Sequence, residues 1–211
     1  MFFKLGNFGR LDPALQARGV KGLSHGAKGE VEIWESFADN PEQLAYESEL
    51  LMAQMEARPV IEDSSLAEDT LAVGLDREAS VKLRVNQNFF RKRVLAAYDN
   101  RCCVTGIETS ELLIASHIIP WSEDVPNRLN LRNGLCLNAL HDKAFDRGLM
   151  WIDPDLSIRL SGRLHADASG HDSSGMRWLL GFEGQRLRLT KKFSPDMDLL
   201  DRHATKARML S

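Results

Sequence analysis

The sequence predicts an α+β protein, a small mixed domain preceded by a helical N-terminal region. Three observations lead there. Residues 31–55 repeat apolar side chains at helical spacing, residues 112–121 form a β-branched and aliphatic run, and residues 137–148 return to helical spacing before a glycine. With 211 residues, 43% of them apolar, the chain can bury a sizeable core as one domain with extensions or as two small ones.

The opening stretch, with glycines at 6, 9 and 19, reads as loop with a short helix around "DPALQARG". In "EVEIWESFADNPEQLAYESELLMAQMEA", Val31, Trp34 and Phe37 recur at helical spacing. After the "DNP" interruption Leu44, Leu51 and Met55 continue it, with Tyr46 nearby. A helical hairpin follows, its second helix capped by Asp39 or Asn40, with Pro41 at the first position and the aromatics expected in a core. Residues 58–80, "RPVIEDSSLAEDTLAVGLDREAS", mix acid, serine and scattered aliphatics without a period, as an exposed linker would. The expected organisation is a helical region at 1–60, an acidic linker at 61–80, a small α+β domain at 81–165 and an extension with a terminal helix at 166–211.

Beyond the linker, "NQNFFRKRVLAAYDNRCC" places Phe90, Val94, Ala97 and Tyr98 on one helical face. "LLIASHIIPW" reads as a strand ended by Pro120. Asn133-Gly134 signals a tight turn, and a short apolar segment follows it. "NALHDKAFDRG" reads as a helix with Leu137, Leu140 and Ala144 as its apolar stripe and Gly148 as a left-handed C-terminal cap. "LMWIDPDLSIRL" is a hairpin around Asp153-Pro154-Asp155, and "DMDLLDRHATKARML" is a final helix.

Net charge is −3, yet it is unevenly spread. Residues 28–80 carry fourteen acids against three bases, residues 81–105 six bases against one acid, and residues 156–211 ten bases against six acids. A polyanionic partner should therefore meet the second half. Three cysteines, Cys102, Cys103 and Cys136, with no CxxC pair, argue against a disulfide framework and a four-cysteine zinc site; Cys102 and Cys136 are expected to be small buried apolar groups. The N-terminus lacks the apolar core of a secretion signal, and no run of about eighteen apolar residues suggests a membrane span, so the expected compartment is the cytoplasm.

The chemistry centres on His117, Asn133 and His141. A neutral imidazole at a strand end can accept a proton from water near pH 7. A divalent metal can offset charge on a phosphorane and assist the departing oxygen, and a histidine projecting from a helix can hold it. An asparagine amide can tie the connecting loop to the strand and orient the imidazole. Taken singly, each residue has a plainer role: a satisfied structural histidine, a turn asparagine, a surface histidine. Their joint spacing is what points to a site.

That spacing and its flanks, "CVTGIETSELLIASHIIPW" and "NGLCLNALHDKAFDRGLMWID", with "NQNFFRKRVLAAYDNRC" before them, resemble the HNH endonuclease family in its restriction-endonuclease branch, over roughly residues 83–160. The resemblance implies a ββα-metal nuclease domain in which His117 is the general base, Asn133 the middle asparagine and His141 the helix-borne metal ligand. It also implies Mg²⁺, with Mn²⁺ or Ni²⁺ as substitutes, and a restriction or defence setting. Where many relatives place an Asp or His before the base, this chain has Ser116, and one turn after His141 it has Phe145. A rotation of 100° per residue turns Asp142 away from His141, and Asp146 is expected to tie the helix end, so neither is counted as a ligand.

DNA is the expected partner, with no membrane and with a homodimer as one arrangement the chain allows. Arg91, Lys92 and Arg93, then Arg132, Lys143 and Arg147, are the candidate phosphate contacts. The alternative is a catalytically silent DNA-binding or interaction module that retains the fold.

Overall fold

The computed structural model describes residues 9–22, 29–60, 77–170, 173–191 and 193–210. Most of the expected acidic linker, residues 61–76, lies outside them, as do residues 1–8 of the opening loop. The chain divides into two compact units, Met1–Asn86 and Gln87–Ser211.

The first unit holds helices α1 (Pro13–Ala17), α2 (Glu30–Phe37) and α3 (Pro41–Met55), and the start of α4 (Arg77–Ala97). Asn40 is the cap of α3: its side chain accepts the Gln43 amide at 3.1 Å, and Pro41, which has no amide to satisfy, follows it. Lys82 donates to the Gln43 side chain at 2.6 Å, fixing the beginning of α4 to α3. The expected core of this hairpin is largely not there. Val31, Leu44, Leu51 and Met55 are exposed, and the small residues Ala45 and Ala53 are the ones buried.

The second unit is built on an antiparallel pair, β1 (Leu113–His117) and β2 (Gly134–Asn138), in the register Leu113↔Asn138 to His117↔Gly134. The rest of α4 packs Phe90 and Val94 into its core, Tyr98 just beyond the helix is buried with them, and the Tyr98 hydroxyl donates to the Gly134 carbonyl. Asp99 and Asn100, both at positive φ, end that helix in the way short polar side chains tolerate best. The three cysteines are free and buried; the Cys102 sulfur accepts the amides of Thr105 and Asn138.

Asn133-Gly134 does not make the expected tight turn. Residues Leu131–Asn133 form one 3-10 turn, and Gly134 is extended at φ −122° as the first residue of β2. Its glycine is needed for packing: a Cβ there would lie 2.5 Å from Val94 Cγ2 and 3.1 Å from Phe90 Cζ.

Helix α5 (Ala139–Asp146) follows β2 directly. Asn138 caps it, one side-chain oxygen accepting the amides of Leu140 and His141. Its buried face is His141, Ala144 and Phe145, whereas Leu140, expected in the stripe, is 52% exposed. Gly148 closes the helix at φ +65°, and its missing Cβ leaves room for Ala207, whose Cα would sit 3.3 Å away. The hairpin β3 (Met150–Ile152) and β4 (Ile158–Leu160) comes next, then α6 (Gly162–Gly170), α7 (Ser174–Leu180) and α8 (Met197–Leu210). Helix α8 buries Leu199, Leu200, His203, Ala204 and Ala207 and packs on β3. The protein is thus α+β, with a ββα unit in its second half and a helical N-terminal region.

Candidate functional site

His117 is the last residue of β1 and is held on three sides. Its ring lies on Phe90 at 3.7 Å between centroids and 10° between planes. Trp121 meets it edge-on at 5.6 Å. Its Nε2–H donates to the Arg128 carbonyl at 2.9 Å, which leaves Nδ1 as the nitrogen bearing a lone pair. Burial lowers the imidazole pKa from its ordinary value, opposed in part by the Arg128 carbonyl and the Asp146 carboxylate. The ring is therefore neutral at pH 7, as a proton acceptor must be.

The clamp depends on Asn133, which is fully buried. Its Oδ1 accepts the Ile119 amide at 2.9 Å, and its Nδ2 donates to the carbonyls of Ile119 and Asn127 at 3.1 Å each. The side chain thus joins both ends of the loop between the strands, and Asn127 immediately precedes the residue whose carbonyl grips His117. Arg128 braces the same loop, donating Nε–H to the Trp121 carbonyl at 2.9 Å while its guanidinium lies over the Trp121 ring.

A cavity of about 50 Å³ opens beside His117, walled by Ile118, by Phe145 and Asp146 from α5, and by His203 and Lys206 from α8. His203 lies flat on Phe145 at 3.6 Å and 5°, and shares a 3.1 Å hydrogen bond with the Phe145 carbonyl. Burial lowers its pKa to about 4, with Lys206 adding to the effect and the carbonyl opposing it. The sequence carried a signal for this residue that motif spacing missed: His203 stands in the stripe of α8 with Leu199, Leu200, Ala204 and Ala207.

His141 is elsewhere. It is absent from the residues lining that cavity and has no exposed surface. Its Nδ1–H donates to Asn138 Oδ1 at 3.0 Å, and Trp178 and Phe182 cover the ring edge-on at 5.3 and 5.1 Å. Nε2 is buried with no partner, and burial lowers the pKa to about 4. The expected helix-borne metal ligand thus lies in an aromatic box, away from the cavity beside His117. Among the described residues no group of three or more His, Cys, Asp or Glu side chains is arranged to hold a metal.

Asp142 and Asp146 occupy the side of α5 that faces the end of β1. Burial raises the pKa of Asp142, as does Asp146, while Ser116 and Lys143 draw it down. Burial likewise raises Asp146, with Lys143, Arg147 and His117 opposing. Two carboxylates one turn apart beside a histidine suit Mg²⁺, which is commonly bound through one or two carboxylates and fills its remaining positions with water and phosphate oxygens.

The candidate phosphate contacts divide into two groups. Arg91 donates to the carbonyls of Leu113 and Ser110, Arg93 to that of Leu129, and Arg132 to that of Ser194, so these three brace the chain itself. Lys92, Lys143 and Arg147 are exposed. Lys143 and Arg147 stand one turn apart on α5, on the helix that carries Asp146.

Residues 102–153 match the family described as HNH endonuclease. A solved structure described as a modification-dependent TagI restriction endonuclease is 22% identical, with a TM-score of 0.40, over 56% of this chain and 36% of that one. The chain thus spans about a third of that protein. No curated protein matches it. No helix among the described residues is long and apolar enough to cross a membrane.

Proposed function

We propose, on the premise that residues 102–153 form an HNH endonuclease domain, that this chain hydrolyses phosphodiester bonds of DNA with the aid of a divalent metal ion. The observation that carries the reading is the state of His117, a neutral imidazole whose Nε2–H is anchored to a carbonyl and whose residue lines a cavity. Nδ1 takes a proton from water as the water oxygen bonds to phosphorus. The Arg128 carbonyl steadies the imidazolium that results. The bond from phosphorus to the 3′ oxygen breaks, that oxygen takes a proton from solvent and the imidazolium returns its own to solvent, leaving the 5′-phosphate and 3′-hydroxyl ends that the family resemblance implies. Asn133 is a positioning residue, because its bonds go to the loop that holds the base. A divalent cation, Mg²⁺ by preference and Mn²⁺ or Ni²⁺ as substitutes, supplies positive charge against the phosphorane and the leaving oxygen. Lys92, Lys143 and Arg147 hold neighbouring phosphates.

The setting we propose is restriction or host defence in the cytoplasm, and it rests on family resemblance. The homodimer the sequence allows finds no support and is not carried forward. A His117→Ala chain should bind duplex DNA as wild type does and cut a plasmid about 10²–10⁴-fold more slowly. Equal cutting by a contaminant-free variant refutes the assignment.

A second reading, a silent DNA-binding module, draws on the sealed Nε2 of His141 and on the lack of a three-ligand group among the described residues. Salt-sensitive DNA binding by wild type, with no cutting in Mg²⁺, Mn²⁺ or Ni²⁺, would select it.

A further inference from the structure

We propose that Arg202 of α8 and Asp124 of the loop between β1 and β2 are positioning residues for His117: the pair anchors the chain of hydrogen bonds that steadies the loop gripping the imidazole. Arg202 lies outside the matched residues 102–153, and the inference rests on the nuclease reading for its effect on turnover, though not for its geometry.

The chain of bonds is continuous. Arg202 donates Nη1–H to Asp124 Oδ2 at 3.0 Å, and Asn127 donates Nδ2–H to Asp124 Oδ1, also at 3.0 Å. Asn127 in turn accepts twice, at its side-chain oxygen from Asn130 Nδ2 at 2.7 Å and at its carbonyl from Asn133 Nδ2 at 3.1 Å. The next residue, Arg128, is the one whose carbonyl takes the Nε2–H of His117. Its own amide is tied back to the Val125 carbonyl at 3.3 Å, closing a 3-10 turn over Val125–Asn127 that Asp124 immediately precedes. One carboxylate thus holds α8 with one oxygen and the loop with the other.

Burial sets this pair apart from a surface contact. The Asp124 side chain is only 10% exposed, although that of Arg202 is 55% exposed. Burial alone would raise the Asp124 pKa, and the hydrogen bonds from Arg202 and Asn127 outweigh it and hold the carboxyl below its usual value. An enclosed carboxylate that loses its cation forfeits more than an exposed one, for which pairing is worth little. The neighbouring pair of Lys206 and Glu123, at 2.7 Å, is exposed on both sides and is of the weaker kind. Two further contacts seat the approach to α8 on the same loop. The Asp196 amide donates to the Arg132 carbonyl at 2.9 Å, and Arg132 Nε–H to the Ser194 carbonyl at 3.3 Å.

The test uses the full chain and two readouts, with thermal denaturation as the control for folding. One is amide hydrogen exchange by NMR at Ile119, whose N–H bonds to Asn133 Oδ1; the other is steady-state cutting of plasmid DNA in Mg²⁺. Arg202→Ala, at an exposed position, should speed Ile119 exchange about tenfold and lower kcat about tenfold, with KM within about twofold. Arg202→Lys should recover most of both. Asp124→Ala should do at least as much as Arg202→Ala, and the double variant should add little to it, because the two residues act through one chain of bonds. Arg208→Ala breaks an ion pair from the same helix to Asp153 and should leave both readouts within about twofold. Unchanged Ile119 exchange in Arg202→Ala and Asp124→Ala, equal effects in Arg208→Ala, additive losses in the double variant, or a rise in KM alone each overturns the proposal. The two readings fail separately. Wild type that never cuts refutes only the nuclease, with Ile119 exchange still deciding the anchor, and faster exchange at full turnover refutes only the positioning role.

Discussion

The ring of His117 rests on the ring of Phe90, 3.7 Å away and 10° from parallel, although one ends a strand and the other lies in the middle of a helix. Phe90 is itself 3% exposed and touches the space that Gly134 leaves empty. The stack fixes the plane of the imidazole, and the Arg128 carbonyl fixes its rotation within that plane. Replacing Phe90 should therefore act on both stability and turnover. Phe90→Ala should lose about 3–5 kcal/mol of stability in chemical denaturation. Phe90→Leu, which fills more of the space, should fold well and still cut more slowly at saturating DNA. Full turnover by Phe90→Leu would show that the stack has no part in holding the base.

Gly134→Ala should cost about 1–3 kcal/mol, because the new methyl meets Val94 at 2.5 Å and the Leu131 carbonyl at 3.1 Å. The backbone there is extended, so the loss comes from crowding and not from φ. Adding Val94→Ala should restore part of the stability. A double variant no more stable than Gly134→Ala would disprove the packing explanation.

In the proposed mechanism cutting requires the neutral form of His117, and burial lowers its pKa below 6.5. The acid limb of the rate profile should therefore be centred below pH 6.5. A pH profile whose acid limb is centred above 6.5 contradicts this.

Stability should follow a related course. The folded pKa values of His141 and His203 are about 4, below the unfolded value, so the unfolded chain binds more protons between pH 6.5 and 4. The stability these two groups allow is full above 6.5 and is lost as pH falls toward 4, by on the order of 3 kcal/mol for each. Asp142 and Asp146, whose folded pKa values are raised, act in the opposite sense, but both are only partly buried. Thermal denaturation at pH 7.5, 6 and 4.5 measures the balance; an unchanged midpoint across that range refutes it.

Lys143→Ala and Arg147→Ala should each weaken binding to every duplex alike and reduce the slope of log affinity against log salt by about one. Arg91→Ala should instead lower stability, since its guanidinium serves the Leu113 and Ser110 carbonyls, and should leave the slope unchanged. A reduced slope in Arg91→Ala would return that residue to the DNA surface.

Much of this arrangement could be read in the sequence because it is local. Strand, loop, strand and helix lie within residues 113–146, and the side-chain hydrogen bonds of His117 and Asn133 close within that stretch. What escaped was set by contacts distant in sequence. The glycine of Asn133-Gly134 answers to Val94, forty residues earlier, so a turn signal marked a packing site. Arg91 and Arg93 looked like free charges until their carbonyl partners were in place. His203 comes from 58 residues beyond Phe145. Spacing could not show which side of α5 faces β1, nor that Trp178 and Phe182 cover His141. Helices α6 and α7 lie in a glycine- and serine-rich stretch whose composition suggests loop.

Because Gly148 has no side chain, α8 can settle against the end of α5 and supply one wall of the cavity. That wall is made late. A growing chain acquires the imidazole, its carbonyl clamp and both carboxylates well before His203 and Lys206 exist. An unfinished polypeptide therefore has the clamped imidazole without its enclosure, and order of synthesis itself delays the completed cavity.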